Sequence, residues 1–316
     1  MYKKVVAVTG ATGFVGEHVS NRLMTENYSV ISIGRRKPVL TSDVNNVHFD
    51  LHQPAIDKMS LHGVDTFIHC AARAHVMDED QNEARELYLT TNTEATVKLA
   101  NEAADAGVKR FIYISSIKAI GEKTNNGEPL RFDSDYNYED AYGESKALAE
   151  KALKEITENT SMEVVIIRPP LVYGPGVKAN FAAMMKLAKR NLPLPLASVK
   201  NKRSLVAIDN LVDLIVTCIE HPKAANQTLM VSDDRDVSTP ELLSAMTQAH
   251  GLQPRLWPFP VNLLQMAATL VGKRNLADRL FSSLQVDIEH TKNILGWRPK
   301  VTMEEQLKKC VEEDVT

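Results

Sequence analysis

The stretch Val5–Gly16, VVAVTGATGFVG, decides the fold. Val5–Val8 is a short β-branched run that stops at Gly10, and Val15–Met24 then shows apolar residues at helical spacing. Gly10, Gly13 and Gly16 fall at three-residue steps between the two. Glycine there serves a tight turn, a close approach of backbone to a pyrophosphate, and close contact of helix on sheet. The helix start then turns unpaired N–H groups and the positive end of its dipole toward the phosphates. A strand, a glycine turn and a helix in this order at the start of an alternating chain point to a dinucleotide site.

The alternation continues outward from that stretch. Strands are predicted at Ser29–Ile33, Val47–Phe49, Val64–His69, Arg110–Ile114 and Val164–Ile167, with helices notably over Glu83–Ala106 and Ala141–Thr157. Continuously apolar strands alternating with helices imply a parallel sheet covered on both faces, an α/β Rossmann-type doubly wound fold. The texture changes after Pro169-Pro170: a helix over Ala179–Lys189, the proline-spaced LPLPL and a charged KNKR segment follow. Asp209–Glu220 reads as a helix, Thr228–Val231 as a strand that returns to the sheet, and residues from about Ser238 onward as mostly helical. The expected division is a dinucleotide-binding domain over 1–170, rejoined by 205–233, and a smaller, mostly helical substrate-binding lobe from 171–204 and 234–316.

With 316 residues, 44% of them hydrophobic, the chain can bury a sizeable core. A net charge of −3 argues against a nucleic-acid or membrane-surface binder, so any phosphate must be met by a local cluster. Cys70, Cys218 and Cys310 are odd in number and lack metal-ligand spacing, which reads as reduced thiols and no metal centre. No apolar run approaches membrane-spanning length, and the expected location is cytoplasmic.

The second predicted strand ends in Gly34-Arg35-Arg36, with no carboxylate before Asp43. This strand end commonly carries an acidic residue that accepts hydrogen bonds from the adenosine ribose. Arginine cannot accept them, but its forked guanidinium holds a phosphate at two points. The pair therefore favours NADP(H) over NAD(H). Solvated surface arginines are the alternative. Asp50-Leu51, after the third strand, is placed to meet the adenine amine.

Tyr142 and Lys146 share one face of a predicted helix, four residues apart. A tyrosine phenol ordinarily titrates at about 10, so it exchanges protons at neutral pH only when its anion is favoured. A fixed ammonium can do that and can also hydrogen-bond a nicotinamide ribose. Ser115-Ser116 closes the fifth strand at the carboxyl edge, where a hydroxyl can orient a substrate oxygen toward Tyr142.

With TGATGFVG, these residues resemble the extended short-chain dehydrogenase/reductases, specifically their nucleotide-sugar epimerases, dehydratases and 4-keto reductases. The resemblance covers nearly the whole chain. It implies a catalytic triad of Ser116, Tyr142 and Lys146, with Ser116 rather than Ser115 in the catalytic place. It matches Asn92 to a structural asparagine and His69-Cys70-Ala71-Ala72 to the motif ending the fourth strand. Cofactor contacts are implied at Gly10, Thr12, Gly13, Phe14, Val15, Gly16, Ala71, Ala72, Asn92 and Pro169, besides Tyr142 and Lys146. Substrate contacts are implied at Ser116, Asn180, Phe181, Arg203 and Arg279, and the partners are a UDP-sugar and a second copy in a homodimer. His75 could lie near the substrate, although a surface or capping role suits it better.

Two departures narrow the reaction. Many relatives have an asparagine contacting the sugar nucleotide after the sixth strand, and here the chain runs Arg168-Pro169-Pro170-Leu171. The 4,6-dehydratases carry an aspartate and a glutamate directly after the catalytic hydroxyl, where this chain has Ile117 and Lys118, which argues against dehydration. The favoured reading is a reductase of a UDP-4-keto-6-deoxy-N-acetylhexosamine, because Arg35 and Arg36 replace the acidic ribose ligand. The alternative is a UDP-hexose 4-epimerase with tightly bound NAD. A dinucleotide-sensing module without turnover is more remote, since it would have no use for the Tyr142–Lys146 pair.

Overall fold

The computed structural model describes residues 3–40, 44–52, 56, 58–73, 81–125, 127–270, 278 and 280–313. Its centre is strand β1, Val5–Thr9. β1 pairs in parallel with β2 (Ser29–Ile33) on one side and with β4 (Thr66–His69) on the other, Val6 standing opposite Val30 and Thr66. With β3 (Asn45–Val47), β5 (Arg110–Ile114), β6 (Glu163–Arg168) and β9 (Thr228–Met230), the sheet has seven strands in the order β3-β2-β1-β4-β5-β6-β9. The chain winds outward from β1 to β3 and then crosses to β4. The reversal leaves a crevice beyond the carboxyl ends of β1 and β4, where such sheets bind ligands.

The two faces follow from the period of two along each strand. Val6 and Val8 pack with Val19 and Leu23 of helix α1 (Phe14–Thr25) and with Leu211 and Ile215 of a later helix. Ala7 and Phe67 face the other way, onto Leu99, Ala103 and Leu153. Fully covered strands explain why β1 and β5 read as unbroken apolar runs.

The long helix expected over 83–106 is three segments: α2 (Gln81–Tyr88), a π-helical turn over Leu89–Glu94, and α3 (Ala95–Asp105). β3 lies at Asn45–Val47, two residues earlier than the apolar run suggests, and Phe49 beyond it joins the core at 3% exposure while its N–H donates to the Gly34 carbonyl at 3.4 Å.

Helix α4 (Ala141–Asn159) precedes β6, and β7 (Leu171–Tyr173) follows it at once. β7 pairs with β8 (Leu205–Ala207) in a separate two-stranded sheet, while Thr228–Met230 does join the main sheet beside β6. Between them run α5 (Ala179–Arg190) and α6 (Ile208–Glu220). Phe181 and Met185 of α5 share a third apolar cluster with Leu243 and Met246 of α7 (Thr239–Ala249) and Leu307 of the last helix. Ser238 and Glu241 form a reciprocal capping box at the start of α7. Then come α8 (Val261–Leu270), α9 (Glu289–Leu295) and α10 (Met303–Glu313). Among the described residues no helix is long and apolar enough to cross a membrane.

Candidate active site

The glycine turn is built as its spacing requires. Gly10 takes φ +71°, and a Cβ there would meet the Ala71 backbone nitrogen at 2.8 Å, so the β1 turn and the chain after β4 touch backbone to backbone. A Cβ on Gly16 would stand 2.2 Å from the Gly10 carbonyl oxygen, which brings the first turn of α1 onto the loop. Gly13 caps α1 with no side-chain hydrogen bond, and Thr12 and Gly13 are exposed. The first-turn N–H groups are therefore open to an anion, and this cradle fits a pyrophosphate. Phe14 and Val15 are half-buried behind it.

A hydrogen-bonded chain behind the crevice fixes one tautomer of His69. The Thr96 hydroxyl donates to the Asn92 carbonyl at 2.7 Å, so at 2.9 Å it accepts from Nε2–H of His69. Nδ1 of His69 is then an acceptor and accepts a hydrogen bond from the Thr9 hydroxyl at 2.7 Å, while Thr9 Oγ1 accepts from Ala71 N–H at 3.2 Å. Burial drives the ring down to about pKa 3, so it stays neutral. The relay joins the glycine turn, the Ala71 backbone and the π-helical turn. Asn92 sits in that turn, its Oδ1 accepting from Arg73 N–H at 2.7 Å and its Nδ2 donating to Ser145 Oγ at 3.1 Å. A π-helical turn of this kind is common at functional sites.

Ser116, Tyr142 and Lys146 converge at the carboxyl end of β5. Ser116 caps a short 3₁₀ turn over Ile117–Ala119, and its hydroxyl lies close enough to the Tyr142 phenol to favour the anion. Ser115 faces the interior instead, donating to Glu150. Lys146 is 2% exposed, donates to the Ile114 carbonyl at 2.9 Å, and stands 4.6 Å from the Tyr113 ring centre and 5.9 Å from that of Tyr142. Burial pushes Lys146 down to about 8, opposed by Cys70 and Glu150. The lowered phenol pKa expected from the sequence is absent: burial pushes Tyr142 up to about 12, with the Ser116 hydroxyl acting downward. Burial therefore favours the protonated phenol, and the Lys146 ammonium bonds to the Ile114 carbonyl rather than to Tyr142.

Arg168 does not stand in for the absent asparagine. It turns inward at 1% exposure and pairs with the fully buried Glu150, Nη2 to Oε2 at 2.6 Å, while Nη1 donates to the Phe132 carbonyl at 3.0 Å. Tyr136 OH donates to the same carboxylate at 3.1 Å. Removing one partner of such a pair leaves a buried charge and costs about 3–5 kcal/mol. Pro169, next in the chain, accepts Ile117 N–H at 3.0 Å and so anchors the turn that carries Ser116.

Other expected site residues are more scattered. Arg35 and Arg36 are exposed at the end of β2, Asp50 accepts from His52 N–H at 3.0 Å, and Leu51 packs on the core. Ala72 is half-buried just beyond Ala71. Asn180 is exposed, but Phe181 is 1% exposed and stacks on Tyr173 at 5.1 Å, so only its backbone can face a nucleotide. Ala179, just before them, holds φ +57°, a strained conformation for alanine. Arg203 is half-buried and donates to the Ser282 carbonyl at 3.2 Å. Arg279 and His75 lie outside the described residues. Among the described residues no cluster of three or more His, Cys, Asp or Glu forms a metal site.

Residues 6–231 match the NAD dependent epimerase/dehydratase family. The chain belongs to that family. It is 46% identical over 313 residues to a UDP-glucose 4-epimerase of Vibrio cholerae, covering 98% of this chain and 95% of the relative. Solved structures share its fold. A UDP-glucose 4-epimerase of Thermotoga maritima with UDP-glucose superposes at a TM-score of 0.77 with 21% identity, covering 98% of both chains. A UDP-glucuronic acid 4-epimerase of Bacillus cereus in complex with NAD gives 0.76 with 19% identity and the same coverage. Within this epimerase/dehydratase family the cradle at Gly10–Gly16 and the polar cluster around Ser116 are the two halves of one candidate site.

Proposed function

We propose that the chain is a 4-epimerase of UDP-hexoses that keeps NAD bound through turnover. The observation that carries this reading is the 46% identity across 98% of the chain to a protein named as a UDP-glucose 4-epimerase. It favours the epimerase over the reductase that Arg35 and Arg36 suggest. Position 118 argues against an elimination, since it is a lysine, itself paired with Asp140 and Glu122, rather than a carboxylate.

The glycine turn, the Ala71-Ala72 backbone and Lys146 would hold the dinucleotide. NAD, when bound, supplies the hydride acceptor for C4 of the sugar and a positive charge that favours the Tyr142 phenolate. Tyr142 takes the proton of the C4 hydroxyl and returns it after the sugar presents its other face. Ser116 hydrogen-bonds the same oxygen and fixes its distance from Tyr142. Lys146 stabilises the phenolate while protonated. Arg203 and the Asn180-Phe181 segment are assigned to the nucleotide diphosphate, where a guanidinium is suited to phosphate oxygens.

Purified protein given UDP-glucose or UDP-N-acetylglucosamine without added cofactor should form the C4 epimer by NMR. Absence of the epimer, together with NADPH oxidation on a 4-keto sugar, would restore the reductase. Arg35→Asp is expected to leave NAD content and epimerisation within about twofold, since an exposed arginine contributes little to a ribose without a 2′-phosphate. Loss of NAD from that variant would show Arg35 to be a cofactor ligand.

A further inference from the structure

We propose that Lys118 is a positioning residue that clamps Asp140, the cap of α4, onto the turn carrying Ser116, and so holds Tyr142 within reach of the Ser116 hydroxyl. This rests on the assignment of Ser116 and Tyr142 as the groups that meet the C4 oxygen.

The clamp has two jaws. In one, Lys118 Nζ donates to Asp140 Oδ2 at 2.6 Å and to Glu122 Oε1 at 2.9 Å. The other oxygen of Asp140 accepts Gly143 N–H at 2.7 Å, the cap that starts α4. In the second jaw the backbones touch: a Cβ on Gly143 would lie 2.5 Å from the Lys118 carbonyl oxygen. Tyr142 lies between these two fixed residues in the chain. On the opposite side, the Lys118 N–H donates to Ser116 Oγ at 3.2 Å, so one residue touches both the serine hydroxyl and the cap of the tyrosine helix.

The bridge is also electrostatic. Tyr142 faces Asp140, Tyr88, the Ser116 hydroxyl and, at its ring, Lys146. Both Asp140 and Tyr88 act against its phenolate. Lys118 sits directly on Asp140 and offsets that charge, while Glu122 shares its ammonium. Among the described residues the first turn of α4 carries one other ion pair, Arg85 with Glu144 at 2.5 Å, on the side of α2. Lys118 and Asp140 are only 27% and 26% exposed, so their interaction is less screened than that of a surface pair.

The test uses the NAD-loaded full chain with Lys118→Met, Lys118→Arg, Asp140→Asn and the Lys118→Met/Asp140→Asn double variant. Lys118→Met is expected to lower kcat by roughly 10- to 100-fold, as a displacement of reacting groups by about 1 Å does. KM for the UDP-sugar and NAD content should stay within about threefold, and Lys118→Arg should restore most of kcat, because a guanidinium can also bridge two carboxylates. The double variant should be no worse than Asp140→Asn alone, since both break one clamp. A second readout is independent of turnover: 3-fluorotyrosine placed at 142 should titrate by ¹⁹F NMR at higher pH in Lys118→Met than in the parent. A raised KM with unchanged kcat would make Lys118 a substrate contact and overturn the proposal. An unmoved ¹⁹F titration with additive kcat losses would do the same. If the parent chain does not epimerise, the ¹⁹F titration still decides the clamp while the proposed function fails.

Discussion

Replacing Tyr142 with phenylalanine should lower kcat by about 10²–10⁴-fold, the usual contribution of a positioned acid–base group. The variant keeps the ring, and with it the edge-on contact to Tyr88 at 6.1 Å and the nearby Lys146 ammonium. It loses only the hydroxyl that meets Ser116. NAD content and the UDP-sugar KM should therefore change by less than about threefold, because the glycine cradle and the lobe are untouched. Steady-state kinetics with absorbance of the released dinucleotide check both halves. Near-normal turnover would remove Tyr142 from the reaction.

Lys146→Met should abolish most turnover and raise the melting temperature. Burial holds Lys146 at about 8 against an ordinary 10.5. Between those values the unfolded chain keeps a proton that the folded chain has released, so stability rises with pH across that window. Below about 8 both states are charged and the folded state bears the full cost of the buried ammonium. At roughly 1.4 kcal/mol per pKa unit, that cost is about 3 kcal/mol. Loss of the bond to the Ile114 carbonyl takes back about 1 kcal/mol. A net gain of about 2 kcal/mol at pH 7 corresponds to a rise of roughly 3 °C in a chain of this size, shrinking as pH rises above about 8 and largely gone by pH 10. Calorimetry at pH 7 and pH 10 measures it. A destabilised variant at pH 7 would mean that the ammonium is stabilised in the fold. The same burial should give turnover an alkaline limb near pH 8 in the parent, since loss of the Lys146 proton would remove the charge that favours the phenolate.

What can be seen in the sequence is what is local. The glycine steps, the apolar strands and the spacing of Tyr142 and Lys146 each lie within one or two elements, and all reappear, the strands with ends shifted by up to two residues. The partners that tune them do not. Glu150 and Arg168 are separated by 18 residues and meet only because α4 packs across the end of β6. Asp140 and Lys118 are 22 apart and meet only once α4 docks on the Ser116 turn. The π-helical turn at Leu89–Glu94 leaves no mark on the apolar period, and Arg73 and Ser145, the partners of its Asn92, lie 19 and 53 residues away in the chain. Phe181 illustrates the converse: its place in the chain fits a cleft-lining residue, yet its ring completes the lobe core against Tyr173. The spacing of Lys146 from Tyr142 implies a depressed phenol, but the lysine's hydrogen bond goes to a carbonyl, and burial wins.

The central claim is that C4 is oxidised and reduced on one molecule of bound cofactor. UDP-glucose deuterated at C4, turned over for many cycles by purified protein without added dinucleotide, should yield the C4 epimer with its deuterium retained. Deuterium lost to free cofactor, or turnover only while NADPH is supplied and consumed, would contradict it.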